Sequence, residues 1–211
     1  MPKNLDVSIS VIRRLPRYYR FLGDLLQSGT ERISSREFAE LIGVTASQIR
    51  QDLNCFGGFG QQGYGYNVAA LHSEIGRILG LDQKRPAILV GAGNLGLALA
   101  NHMRFNDRGF SLLGIFDNSP EKIGLSVGSI VVRDSVELEA FCKENNPAVA
   151  ILCIPKDAAI VLTDNLVEWG IKGFWNFSHY DMSVKYRDIA VENAHLGDSL
   201  MTLSYRIGEA E

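Results

Sequence analysis

A glycine-rich turn between an apolar run and a helical pattern constrains this chain more than any other feature. Ala87-Ile88-Leu89-Val90 reads as a short buried strand, and Gly91-Ala92-Gly93-Asn94-Leu95-Gly96 follows it directly. A helical pattern then runs to about Phe105. A second strand, Phe110 to Phe116, ends at Asp117. Strand, Gly-x-Gly-x-x-Gly turn, helix and an acid about twenty residues on form the fingerprint of a dinucleotide site. Each glycine has its own reason. Gly91 permits the tight turn, Gly93 lets a pyrophosphate approach the backbone, and Gly96 lets the helix pack on the sheet. Free amides at the helix N-terminus attract phosphate. Asp117 suits the adenosine ribose hydroxyls, and its charge repels a 2′-phosphate. Asn118-Ser119-Pro120 bring no arginine. NADH and NAD⁺ are therefore expected rather than their phosphorylated forms.

The rest of the second half continues the same alternation. Ser135 to Glu144 reads as helix, Ala148 to Ile154 as strand, Asp157 to Trp169 as helix and Ile171 to Trp175 as strand. Such alternation predicts a Rossmann-like, doubly wound parallel sheet. The tail carries Leu196, Leu200, Leu203 and Ile207 on one helical stripe.

The first half has a different grammar. The polar stretch from Leu81 to Pro86 marks the boundary, giving segments 1–84, 85–190 and 191–211. Tyr18 to Gln27 reads as a helix. Ser34 and Glu37 have capping-box spacing, which predicts a helix from Ser35 to Ile42, ended by Gly43. Thr45 and Gln48 repeat the box and open a helix to about Cys55. Two short helices joined by Gly43-Val44-Thr45 have helix-turn-helix spacing. Phe56 to Tyr66 alternates aromatics with glycine and reads as a hairpin wing turning at Gly63. Leu71 to Leu79 is a further helix.

On the second helix of the pair, Ile49 and Leu53 face inward, so Ser47, Arg50, Gln51 and Asn54 share the outward stripe. Arg suits guanine and Gln suits adenine in a major groove. Arg13, Arg14, Arg17 and Arg20 supply charge for phosphates, and Gln61 and Gln62 sit at the wing tip. Charge is divided accordingly: residues 1–85 hold 11 Lys and Arg against 8 Asp and Glu, and residues 86–211 hold 10 against 16. A basic front and an acidic back hint at an anionic partner at the front.

Several classes are disfavoured. No apolar run approaches the roughly 20 residues of a membrane span. The first twenty residues have no signal-peptide core, and a cytoplasmic protein is expected. Cys55, Cys142 and Cys153 have neither disulfide nor metal spacing, so no metal is expected.

Together these segments resemble the Rex family of redox-sensing repressors, along nearly the whole chain. The densest matches are Arg14-Leu15-Pro16 with Tyr18-Tyr19-Arg20, Gln48-Ile49-Arg50 with Asp52-Leu53, and Phe59-Gly60 through Gly65-Tyr66-Asn67. They continue with the glycine turn, Phe116-Asp117, Pro120, Lys122-Ile123-Gly124, Gly173 and Asn176-Phe177. The resemblance implies a homodimer that binds a pseudo-palindromic DNA operator, releases it when NADH binds, and exchanges its C-terminal helix between subunits. It further implies that Ile154-Pro155 and Asn176-Phe177 lie near the nicotinamide. Asn118, Lys122 and Ile123 then join the cofactor site, Tyr64 joins the DNA-binding wing, and Arg20, His102 and His195 belong to the switch.

The chain also departs from its family. Gln51 and Gln62 stand where members often carry cations, which should flatten the salt dependence of DNA binding. His102 and His195 stand where relatives can carry a hydrogen-bonded Tyr and Asp. Two readings remain for them: a pair sensitive to pH, or two unrelated surface histidines. Two rival functions also remain, an NAD-dependent dehydrogenase and a CoA-binding protein. Against an enzyme, only 36 residues follow Trp175, too few for a separate substrate domain.

Overall fold

A computed structural model describes residues 7–57, 59–61 and 64–209, with Gly60 and Gln61 described by their backbone alone. The chain divides into two compact units between Asp82 and Gln83.

The first unit opens with helix α1, Ile9–Gln27, capped by the Ser8 hydroxyl. It begins nine residues before the helix expected from Tyr18, because Pro16 lies inside it. Proline removes one hydrogen bond, to the Ile12 carbonyl. The buried face, Leu15, Tyr18 and Leu22, runs past it without interruption and holds the helix against the core. Strand β1, Arg32–Ile33, was not foreseen; two residues carry no period. Helix α2, Ser35–Ile42, has the expected limits: Ser34 Oγ accepts from Glu37 N at 3.1 Å and Glu37 Oε2 accepts from Ser34 N at 2.8 Å. Gly43 ends it with φ 68°, the left-handed turn that leads to α3, Ala46–Asn54. Only half of the second expected box forms. Thr45 Oγ1 accepts from Gln48 N, but the Gln48 side chain goes to Asp52 instead.

Strands β2, Gly60–Gln61, and β3, Gly65–Asn67, make the wing and join β1 in an antiparallel sheet of order β1-β3-β2. Gln62 and Gly63, read as wing tip and turn, lie outside the described residues. Helix α4, Val68–Leu79, closes the unit, capped by Asn67. Its core gathers Leu15, Tyr18, Leu22, Phe38, Ile42, Ile49, Leu53, Leu71 and Ile75.

In the second unit the strands are β4, Arg85–Val90; β5, Phe110–Asp117; β6, Ser126–Val127; β7, Ile130–Asp134; β8, Val149–Leu152; β9, Gly173–Asn176; and β10, Ala190–Asn193. The helices are α5, Asn94–His102; α6, Leu138–Asn145; α7, Lys156–Glu168; and α8, Leu196–Gly208. Among the described residues the sheet order is β10-β9-β8-β4-β5-β7-β6, parallel except for the pairing of β6 with β7. The chain winds outward from β4 through β5 to β7, then crosses to β8 on the other flank. A crevice therefore opens beyond the carboxyl ends of β4 and β8, where such folds place ligands. Strands β6, β7 and β10 were missed. They lie toward the sheet edges, where polar residues such as Arg133, Asp134 and Glu192 break the apolar run that marks a central strand.

Candidate functional site

The crevice is built by backbone before side chains enter. Gly91 N donates to Phe116 O at 2.8 Å, and Gly91 takes φ 99°. A Cβ there would lie 2.4 Å from Cys153 O, so the turn and the end of β8 meet too closely for any side chain. A Cβ on Gly96 would lie 1.8 Å from Gly91 O, which seats α5 on the turn. Gly93 differs: a Cβ on it meets nothing within 4 Å. It is the N-cap of α5 and offers no side-chain cap, so the first amides of the helix are left for an anion. Asn94 and Leu95 are exposed on that first turn.

Asp117, at the end of β5, draws the turn together. Its Oδ2 accepts from Ala92 N at 2.6 Å and its Oδ1 from Ser119 N at 2.8 Å. Each carboxylate oxygen has a further lone pair for a hydroxyl donor. Asn118 is exposed, while Lys122 and Ile123 are half-buried on a turn whose amides both bond Ser119 O. Across the crevice, the loop after β8 carries Ile154 and Pro155, and Ile154 Cγ2 would lie 2.9 Å from a Cβ on Gly91. Phe177 N bonds Leu152 O, and the Phe177 ring packs edge-on to Trp175. Burial pushes the Cys153 thiol up to about 12, which disfavours the thiolate.

Asn176, expected near the nicotinamide, is held by the chain itself. It is fully buried, and its amide is committed within the chain. Nδ2 donates to Tyr180 O at 2.7 Å and Asn193 Oδ1 at 2.8 Å, while Oδ1 accepts from Ser178 N and Oγ. A buried amide must be satisfied, and here that shapes the loop after β9.

In the first unit, Ser47, Arg50, Gln51 and Asn54 are exposed on α3, with Ile49 and Leu53 buried behind them. Arg50 Nη1 donates to Ser35 Oγ at 3.1 Å. Arg13, Arg17 and Arg20 are exposed along α1 at i, i+4 and i+7 spacing. Arg14, assigned with them to phosphate, is half-buried beside them and engaged within the unit. Its Nε and Nη2 donate to Asp52 Oδ2 and Oδ1 at 2.6 and 2.7 Å, because a carboxylate buried on α3 demands a counter-charge. Tyr18 OH and Gln48 Nε2 donate to the same carboxylate at 2.6 and 2.8 Å. Burial alone pushes the Asp52 carboxyl up. Bonds from Arg14, Tyr18 and Gln48 outweigh it and hold Asp52 below the ordinary carboxylate range. Tyr64 is exposed at the wing, and Gln61 is known there only as backbone.

His102 ends α5, exposed to solvent. His195 precedes α8, and its ring stacks on His179 at 6.0 Å with 5° between planes. Among the described residues no three His, Cys, Asp or Glu are grouped to hold a metal, and no helix is long and apolar enough to cross a membrane.

Two family models match the chain, one in each unit. One, "Putative DNA-binding protein N-terminus", matches residues 6–54, and the other, "CoA binding domain", matches residues 82–180. The redox-sensing transcriptional repressor Rex of Clostridioides difficile (strain 630) is 55% identical over 208 residues, covering 99% of each chain. The chain belongs to the Rex family of redox-sensing transcriptional repressors. A second Rex, from Caldanaerobacter subterraneus subsp. tengcongensis, is 54% identical over all of this chain and 94% of the relative. Among solved structures, the Rex-family repressor RSP in complex with β-NAD⁺ and operator DNA matches with TM-score 0.90 and 54% identity, over 97% of this chain and 94% of that one. RSP in complex with β-NADH matches with TM-score 0.88 and 51% identity, over 97% and 95%.

Sequence reasoning missed two residues that stand out in this Rex chain. Asp52 sits where an acid on an amphipathic helix reads as solvated, and no local signal reveals its partner 38 residues away. Arg32 Nη1 donates to Tyr64 O at 3.2 Å, a cation at the base of the wing. Strand β1, too short to detect, is what brings it there.

Proposed function

We propose that this chain is a repressor that binds operator DNA through residues 1–84 and is released when NADH binds residues 85–190. The observation that carries this reading is the union, in one chain, of an exposed helix-turn-helix face with a glycine-turn crevice closed by Asp117. The RSP complexes support it. Gly93 and the first turn of α5 receive the pyrophosphate, and Asp117 receives the ribose diol. Ile154-Pro155 and Phe177 flank the nicotinamide, and Asn176 acts by holding its loop. Ser47, Arg50, Gln51 and Asn54 read bases, while Arg13, Arg17 and Arg20 meet phosphates. Residues 191–211 serve a homodimer: Leu196, Leu200, Leu203 and Ile207 are each more than half exposed, a stripe that fits a partner subunit. Two subunits then read a pseudo-palindrome. No catalytic set is assigned, and the place of work is the cytoplasm.

NADH shifts the dimer only as far as its affinity differs between the two arrangements. Fluorescence anisotropy with the RSP operator duplex, titrated with NADH and with NAD⁺, tests this. NADH should release DNA at concentrations where NAD⁺ does not; equal responses defeat redox sensing. The CoA-binding family match favours a second reading. CoA carries a ribose phosphate that the Asp117 charge repels, and competition of CoA against NADH decides between them.

A further inference from the structure

Asp52 is 1% exposed in the last turn of a nine-residue helix and accepts four hydrogen bonds. Stability alone does not explain it, since apolar residues of similar volume often serve a buried site as well as an ion pair does. The pair supplies direction. The driving force that buries Ile49 and Leu53 is non-directional, whereas a guanidinium fork on a carboxylate adds directional geometry. The two ends of this tether matter equally. Arg14 is half-buried on α1, between the exposed stripe of Arg13, Arg17 and Arg20 and the buried face of Leu15, Tyr18 and Leu22, and Asp52 leaves α3 from the side away from Arg50, Gln51 and Asn54. Gln48, one turn before Asp52, clamps the carboxylate from α3 itself. Base-edge hydrogen bonds need close alignment, while phosphate attraction tolerates looser placement.

We propose that Arg14 and Asp52 are positioning residues for sequence reading. Their ion pair, with Tyr18 and Gln48, holds α3 at the rotation where Arg50, Gln51 and Asn54 meet base edges, and Arg14 is not a phosphate ligand. This inference rests on the repressor reading above.

The test uses the full chain with Arg14→Lys, which keeps charge but loses the fork, and with Arg14→Met combined with Asp52→Leu, an apolar replacement. Affinities are measured for the RSP operator duplex, for a random duplex of equal length across a salt series, and for NADH. The operator-to-random ratio should fall at least about tenfold, with random-duplex affinity, its salt slope and NADH affinity as in the native chain. An unchanged ratio overturns the inference. So does random-duplex binding weakened in step with a salt slope smaller by about one, the mark of a lost phosphate contact. If the double variant melts, Arg14→Lys alone decides. A native chain with no operator preference defeats the repressor reading and this inference with it. Native preference with an unaltered variant ratio defeats only the positioning role.

Discussion

Gly93 and Gly91 look alike in sequence and differ in consequence. Gly91 has no room for a side chain, while Gly93 has extended backbone and open space beyond it. Serine is a favoured N-cap. Gly93→Ser should therefore leave the melting temperature unchanged or raised. Its hydroxyl would compete for the amides proposed to receive phosphate, weakening NADH at least about tenfold by calorimetry, a loss of about 1.4 kcal/mol. The first unit also contains two titrating groups whose pKa values are lowered on folding. Burial lowers the His72 pKa, so its contribution to stability is present above 6.5 and fades as pH falls below that value. Asp52 lies below its ordinary 3.8, so its contribution is present above 3.8 and lost as pH falls through the lowered value. Thermal melts of the full chain over descending pH should show the first unit weakening in those two stages. His72→Phe, which keeps a ring against Tyr19, should remove the earlier one.

At the scale of elements, local rules worked where the signal was local. The limits of α2 follow from one capping box and one left-handed glycine, and Ser34→Ala should cost about 1 kcal/mol in denaturant unfolding. The central strands β4, β5, β8 and β9 were legible because both faces are buried, which demands continuous apolar runs. The first nine residues of α1 were hidden by Pro16, whose lost bond is offset by packing of Leu15 and Leu22. Strands β6 and β10 at the sheet edges, and β7 beside β6, carried no such run. The Thr45 box was half right: Gln48 had the correct type and spacing, but a buried carboxylate outcompeted the helix cap for its side chain.

At the scale of the molecule, the α8 stripe is the clearest demand for a partner. Burying a leucine is worth about 1.5–3 kcal/mol, so, with α8 at the proposed dimer interface, Leu200→Asp should give a monomer in sedimentation equilibrium and abolish operator binding, with the melt of the first unit unchanged. Chemical type, element order and the dinucleotide turn were all written in the order of residues, because each depends on neighbours a few positions apart. Asn176, Arg14 and His195 were not. Each has side-chain chemistry compatible with an exposed contact, and each finds its observed partner across the fold: Asn193, Asp52 and His179. Periodicity tells which way a side chain leaves its own element, whereas only the folded chain brings a distant charge, amide or ring within reach, and at short range that encounter outweighs local preference.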